Sequence, residues 1–163
     1  MLPMGERTFQ VRGQPHTHSF VLTGDVVVIL AEASDGRFLL VRQYRASLDR
    51  QTVEFPAGHC EPGESPEAAA GRELEEETGH RCARLRFLFK FEPAPGCTDE
   101  VIHAFWADGL EPTATSFDPG EDIEILRWSP NEIDAAAREG RLTDGKTLLL
   151  WLARKAGFTV RGQ

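Results

Sequence analysis

Residues Arg72 to Gly79, "RELEEETG", place four glutamates in the five positions from Glu73 to Glu77. On a helix, residues three and four apart share a face, so Glu73, Glu76 and Glu77 project together, while Glu75 turns away and Leu74 faces the core beside Ala70. Two like charges about 6 Å apart repel by roughly 0.7 kcal/mol in water and about 3 kcal/mol at an effective dielectric near 20. Carboxylates gathered in this way gain from a cation among them. An all-oxygen donor set with no histidine or thiolate favours Mg2+ or Mn2+ over zinc. The alternative is a solvated acidic helix face.

The helix that carries these residues has clear ends. Ser65 is a natural N-cap, Pro66 suits the first helical position and Gly79 suits the left-handed position after the last turn. Before it runs a Gly- and Pro-rich loop, "PAGHCEPGES", and before that a short strand over Thr52–Phe55 stopped by Pro56. Two β-branched segments, Asp25–Ala31 and Arg37–Tyr44, flank the Asp35-Gly36 turn of a hairpin. Further strands are expected over Leu85–Phe91, Glu100–Ala107 and Asp122–Trp128. Helices follow from Ser129-Pro130 to about Arg138 and over Thr143–Gly157. The order β-β-β-α-β-β-β-α-α predicts one mixed α/β domain over residues 1–163, with residues 1–24 as an extension able to form a short hairpin.

Bulk properties narrow the function. A net charge of −8 on 163 residues argues against a broad hold on nucleic-acid phosphates or an anionic membrane surface. The apolar run Val26–Ala31 is far too short to span a bilayer, and the first residues carry no secretory signal pattern. Cys60, Cys82 and Cys97 form neither a disulfide framework nor a zinc motif, and a reducing cytoplasm is the simplest setting.

The whole stretch from Gly58 to His80, "GHCEPGESPEAAAGRELEEETGH", resembles the Nudix box, G-x5-E-x7-R-E-U-x-E-E-x-G-U, where U is a bulky apolar residue. Gly58, Glu64, Arg72, Glu73, Leu74, Glu76, Glu77 and Gly79 match; His80 stands where the pattern has an apolar residue. The resemblance implies a Nudix-type α/β/α sandwich with a mixed β-sheet that hydrolyses nucleoside diphosphate derivatives with divalent metals. By position, it implies Glu73 and Glu77 as metal ligands, Glu76 as a ligand or water-bridged neighbour, and the Ala57 carbonyl as a further ligand. Glu64 and Arg72 become orienting groups that tie the loop to the helix, and Gly58 lets the loop backbone approach the metals.

Outer segments extend the resemblance over about residues 26 to 152. "LLVRQYR", "VEFPAG", "APGCTDEVIHAFWA", "GEDIEI" and "DGKTLLLW" stand in the order seen in ADP-ribose pyrophosphatases and related nucleotide-sugar hydrolases. That implies water attack on a phosphorus of ADP-ribose or a similar small molecule, giving AMP and a sugar phosphate. Three glutamates compete for general base: Glu121, which falls on the loop that supplies it in those enzymes, Glu100 in "CTDE", and Glu76. Arg42 and Arg45 lie where relatives meet the diphosphate; three apart on a strand, they face opposite ways, and Arg45 at the strand end is preferred. Glu54 is expected to line the same cleft. A homodimer follows by analogy. Competing readings are a Nudix hydrolase for GDP-mannose or a house-cleaning nucleotide, and a non-catalytic sensor of ADP-ribose; the intact glutamates favour an enzyme.

Overall fold

The strand Asp25–Glu32 is apolar from Val26 to Ala31, and every one of those side chains is buried. Successive side chains on a strand point to opposite faces, so such a run must be covered on both. The computed structural model, which describes residues 3–115 and 122–158, supplies both covers. Its strands are β1 Met4–Val11, β2 Gln14–Val21, β3 Asp25–Glu32, β4 Phe38–Arg45, β5 Arg50–Glu54, β6 Ala57–His59, β7 His80–Phe91, β8 Val101–Pro112 and β9 Ile123–Trp128. Its helices are α1 Pro66–Thr78, α2 Pro130–Arg138 and α3 Gly145–Lys155.

One core sets Val27, Ile29, Ala31, Leu39, Phe105 and Ala107 against Ala69, Ala70 and Leu74 of α1. The other sets Val26, Val28, Leu30, Phe38, Leu40 and Ala104 against Ile133 and Ala136 of α2 and Leu150 and Trp151 of α3. Residues adjacent along β3 thus alternate between the two cores, and the result is the expected α/β/α sandwich. Two helices start as the sequence predicts, with the side chains of Ser65 and Ser129 capping α1 and α2 and Pro66 and Pro130 opening them; α3, expected from Thr143, starts at Gly145 with Asp144 as its cap, because the Asp144 side chain accepts from the Thr147 N–H.

The main sheet runs β5-β4-β3-β8-β7, with β6 paired to β3 and β9 to β4. The β3–β8 pair is parallel and the others antiparallel. Strands β3 and β4 pair only at Ala31–Leu39 and Glu32–Phe38, then part. Beyond that point β6 takes the free edge of β3 and β5 takes that of β4. The split in the sheet is spanned by Phe55-Pro56.

The strands differ from expectation in three places. The stretch after Pro56 is not all loop, because Ala57–His59 pairs with Val26–Val28. Strand β7 begins at His80 and β8 continues to Pro112, since the two extend each other as a long antiparallel ribbon past the core. The N-terminal hairpin has eight residues in each strand, closed by Arg12 and Gly13, both with positive φ, as a two-residue hairpin turn requires. Its strands carry few buried side chains, so hydrophobic alternation gave little sign of them.

Candidate functional site

Glu73, Glu76 and Glu77 of α1 face a cleft of about 340 Å3, together with Arg72 from the same helix. The opposite wall is Ala57, Gly58 and His59 of β6, Glu61, and Gln43 and Arg45 of β4. The cleft therefore lies over the split between β3 and β4, where α1 crosses strands that no longer pair with each other. Glu75, turned away by the helical phase, does not line it.

Arg72 is the positive group among the box glutamates. Its guanidinium donates to both oxygens of Glu64 at 3.0 and 2.9 Å, to the His59 carbonyl at 2.9 Å, to Glu73 at 2.8 Å and to Glu76 at 2.9 Å. The Glu64 carboxylate, first among these, holds the Arg72 pKa above its ordinary value. Glu64 is in turn held below the usual carboxylate range by Arg72 and by the Glu61 N–H. One arginine thus fixes the loop to the helix and sets the spacing of two box carboxylates. Glu77 is 5% exposed and accepts from the Ala57 N–H at 3.0 Å, which locks helix to strand at the base of the cleft.

Gly58 is required by space. A Cβ there would lie 2.0 Å from the carboxyl carbon of Glu73, so any side chain would displace that carboxylate. The carboxylates of Glu73, Glu76 and Glu77 line the cleft around this point, a donor chemistry that suits a hard divalent cation. Among the described residues, no three His, Cys, Asp or Glu side chains are gathered closely enough to hold an ion as they stand. Arg72 bridges Glu73 and Glu76 instead. With Ala57 and Glu77 lining the same cleft, the chemistry of the residues present fits such an ion.

Arg45 reaches the cleft from a braced base. Its guanidinium donates to both oxygens of Glu54, at 2.8 and 2.7 Å. Glu54 is 2% exposed, and it also accepts from Thr52 at 2.6 Å and from Lys146 of α3. Burial opposes ionisation of Glu54, but the bonds from Arg45, Lys146 and Thr52 outweigh it and hold its pKa at about 2. Glu54 itself lies on the wall of an adjoining cleft, with Thr143, Asp144 and Lys146, and not on that of the box cleft. No local pattern in "TVEF" marked its carboxylate as the anchor of two cations, because Lys146 comes from the other end of the chain.

The other candidates lie apart. Arg42 points away from the cleft and pairs with Glu124 across β9 at 2.6 Å. Glu100 borders a separate depression beside Phe91, Pro93 and Lys146. Glu121 lies outside the described residues. Gln43, which sequence reasoning passed over, lines the cleft and is 7% exposed. The signal was available: it shares a strand face with Leu39, Val41 and Arg45, at the point where that face turns from apolar to polar.

A family model described as "NUDIX domain" matches residues 22–151. The chain is 35% identical over 139 residues to a protein of Bacillus methanolicus named methanol dehydrogenase activator, covering 84% of this chain and 75% of that one. It is 34% identical over 137 residues to the ADP-ribose pyrophosphatase of Bacillus subtilis strain 168, covering 83% and 74%. A crystal structure described as an ADP compounds hydrolase superposes with a TM-score of 0.80 at 22% identity, covering 94% of this chain and 91% of that one, a likeness of fold.

Proposed function

This chain belongs to the Nudix family, and we propose that it is a hydrolase cleaving the diphosphate of ADP-ribose or a related nucleotide sugar to AMP and a sugar phosphate. The observation that carries this reading is the cleft itself, about 340 Å3, which the box glutamates line together with Arg45. The likeness to an ADP-ribose pyrophosphatase supports the substrate class.

In this reading Glu73, Glu77 and the Ala57 carbonyl hold Mg2+ or Mn2+, with Glu76 as a ligand or as a neighbour through water. A divalent cation bound there supplies charge neutralisation for the diphosphate and makes an attacking water more acidic. The chain's own residues do the rest. Arg45, fixed by Glu54, binds a phosphate oxygen from the β4 side. Gly58 keeps the floor of the cleft open, and Arg72 orients Glu73, Glu76 and the loop through Glu64. The proton of the attacking water passes to a glutamate. Glu76 is the candidate on the cleft wall; Glu121 stands for it by resemblance; Glu100, on a separate depression, is the weakest of the three. We place the enzyme in the cytoplasm as a homodimer, for which exposed Phe9 and Val11 of the hairpin offer an apolar face.

The test is hydrolysis of a panel (ADP-ribose, ADP-glucose, GDP-mannose, 8-oxo-dGTP) with and without Mg2+, products resolved by chromatography, alongside Glu77→Gln. Metal-dependent release of AMP from ADP-ribose, lost in the variant, is the expected result. Preference for GDP-mannose would keep the chemistry and change the substrate. Binding of ADP-ribose without turnover would turn the reading to a sensor.

A further inference from the structure

Gln43 is a polar side chain on a strand face whose preceding members, Leu39 and Val41, are apolar. Leu39 and Val41, on the same face of β4, are 3% and 0% exposed; Gln43 is 7% exposed. Its main chain is occupied, since β4 pairs with Thr52 on one side and Ile123 on the other, and its carbonyl also accepts from the Thr52 hydroxyl. Its carboxamide has no hydrogen-bond partner among the described residues and opens on the box cleft. The side chain is otherwise packed, yet its amide is not among the buried polar groups left without a partner, so it meets water in the cleft and can exchange that water for a ligand.

The surroundings define what the amide can bind. Arg45, two residues on, lies on the same face, which puts a neutral donor and a cation about 7 Å apart along one wall. The facing wall is anionic, with Glu73, Glu76 and Glu77. A carboxamide there can donate its N–H to an anionic oxygen without adding charge, whereas an acid at 43 would repel it. We propose, resting on the reading of the cleft as a nucleoside diphosphate site, that Gln43 binds a phosphate oxygen of the diphosphate through its amide N–H, as a second protein contact beside Arg45.

The experiment measures ADP-ribose binding by calorimetry in EDTA for the native protein, Gln43→Met and Gln43→Asn, with thermal unfolding of each. Methionine keeps the length and removes the donor; asparagine keeps the amide if methionine disturbs folding. Loss of a hydrogen bond to a charged group predicts affinity lowered about ten- to a hundredfold in Gln43→Met, with a smaller loss in Gln43→Asn. In the metal-loaded enzyme the same loss appears as a raised KM at unchanged kcat. Equal affinity in native and Gln43→Met protein overturns the proposal. A fall in kcat with KM unchanged also overturns it, because the amide would then act on the reacting water. If the native protein binds ADP-ribose with this dependence but hydrolyses nothing, the enzyme reading falls and the contact stands. If it hydrolyses ADP-ribose and Gln43→Met is indistinguishable, the contact falls and the enzyme reading stands. No binding by the native protein overturns the contact, and the hydrolysis panel then judges the enzyme reading separately.

Discussion

Replacing Glu54 by glutamine tests the brace beneath Arg45. The change keeps the shape of the side chain and removes the negative charge shared by Arg45 and Lys146. A carboxyl that ionises near 2 when folded, against an ordinary value of 4.5, contributes about 3 kcal/mol of stability at neutral pH. Breaking a buried pair from one side costs about 3–5 kcal/mol by direct measurement in other proteins. The Arg45 side chain is 39% exposed and can turn to water, which favours the lower figure. About 3 kcal/mol lowers Tm by roughly 6–12 °C in a chain of this size. The sign of the pH dependence follows from the depressed folded pKa. The stabilisation is complete above about 4.5 and is lost as pH falls through about 2. Denaturant unfolding of native and Glu54→Gln protein from pH 7 to pH 2 should therefore show a gap that is full at pH 7 and closes between about 4.5 and 2. A gap under about 0.5 kcal/mol at pH 7, or one that stays constant down to pH 2, would refute the reasoning.

Other substitutions separate packing from chemistry. Gly58→Ala should leave Tm within a few degrees, because the colliding Glu73 carboxylate is the end of a flexible side chain, yet weaken metal affinity about ten- to a hundredfold by titration. Leu74→Ala, in the α1 core, should lower unfolding free energy by about 2–5 kcal/mol in urea. Thr147→Val strands the buried Phe55 N–H that the hydroxyl accepts at 2.9 Å, and should cost about 1–3 kcal/mol by the same assay.

The sequence carried its clearest information where it is local. The Ser65, Pro66 and Gly79 signals define α1 because caps and helix stops act within a turn of where they are written. The phase of Glu73, Glu76 and Glu77 followed from helix geometry alone, and the three do line one cleft. What could not be read is non-local. Lys146 meets Glu54 across 92 positions of sequence. The pairing of Ala57–His59 depends on β3 and β4 parting, which no residue in "PAGH" announces. The notion that Glu54 would line the box cleft failed to anticipate that two cations would draw its carboxylate under Arg45. The N-terminal strands, exposed on both sides over most of their length, offered no hydrophobic period to detect.

Strand β3 has main-chain partners along both edges and a core against each face. Its amides have no route to solvent short of opening both cores at once. They should be the slowest in the chain to exchange for deuterium, on the scale of global unfolding. The segment that carries Ala57 and Gly58 is bonded directly to that strand. One wall of the cleft is therefore anchored to the most protected part of the molecule, while Arg72 on the other wall is held by side-chain bonds that can open one at a time. Local opening at this site should move the arginine and its glutamates and leave the backbone beneath them in place.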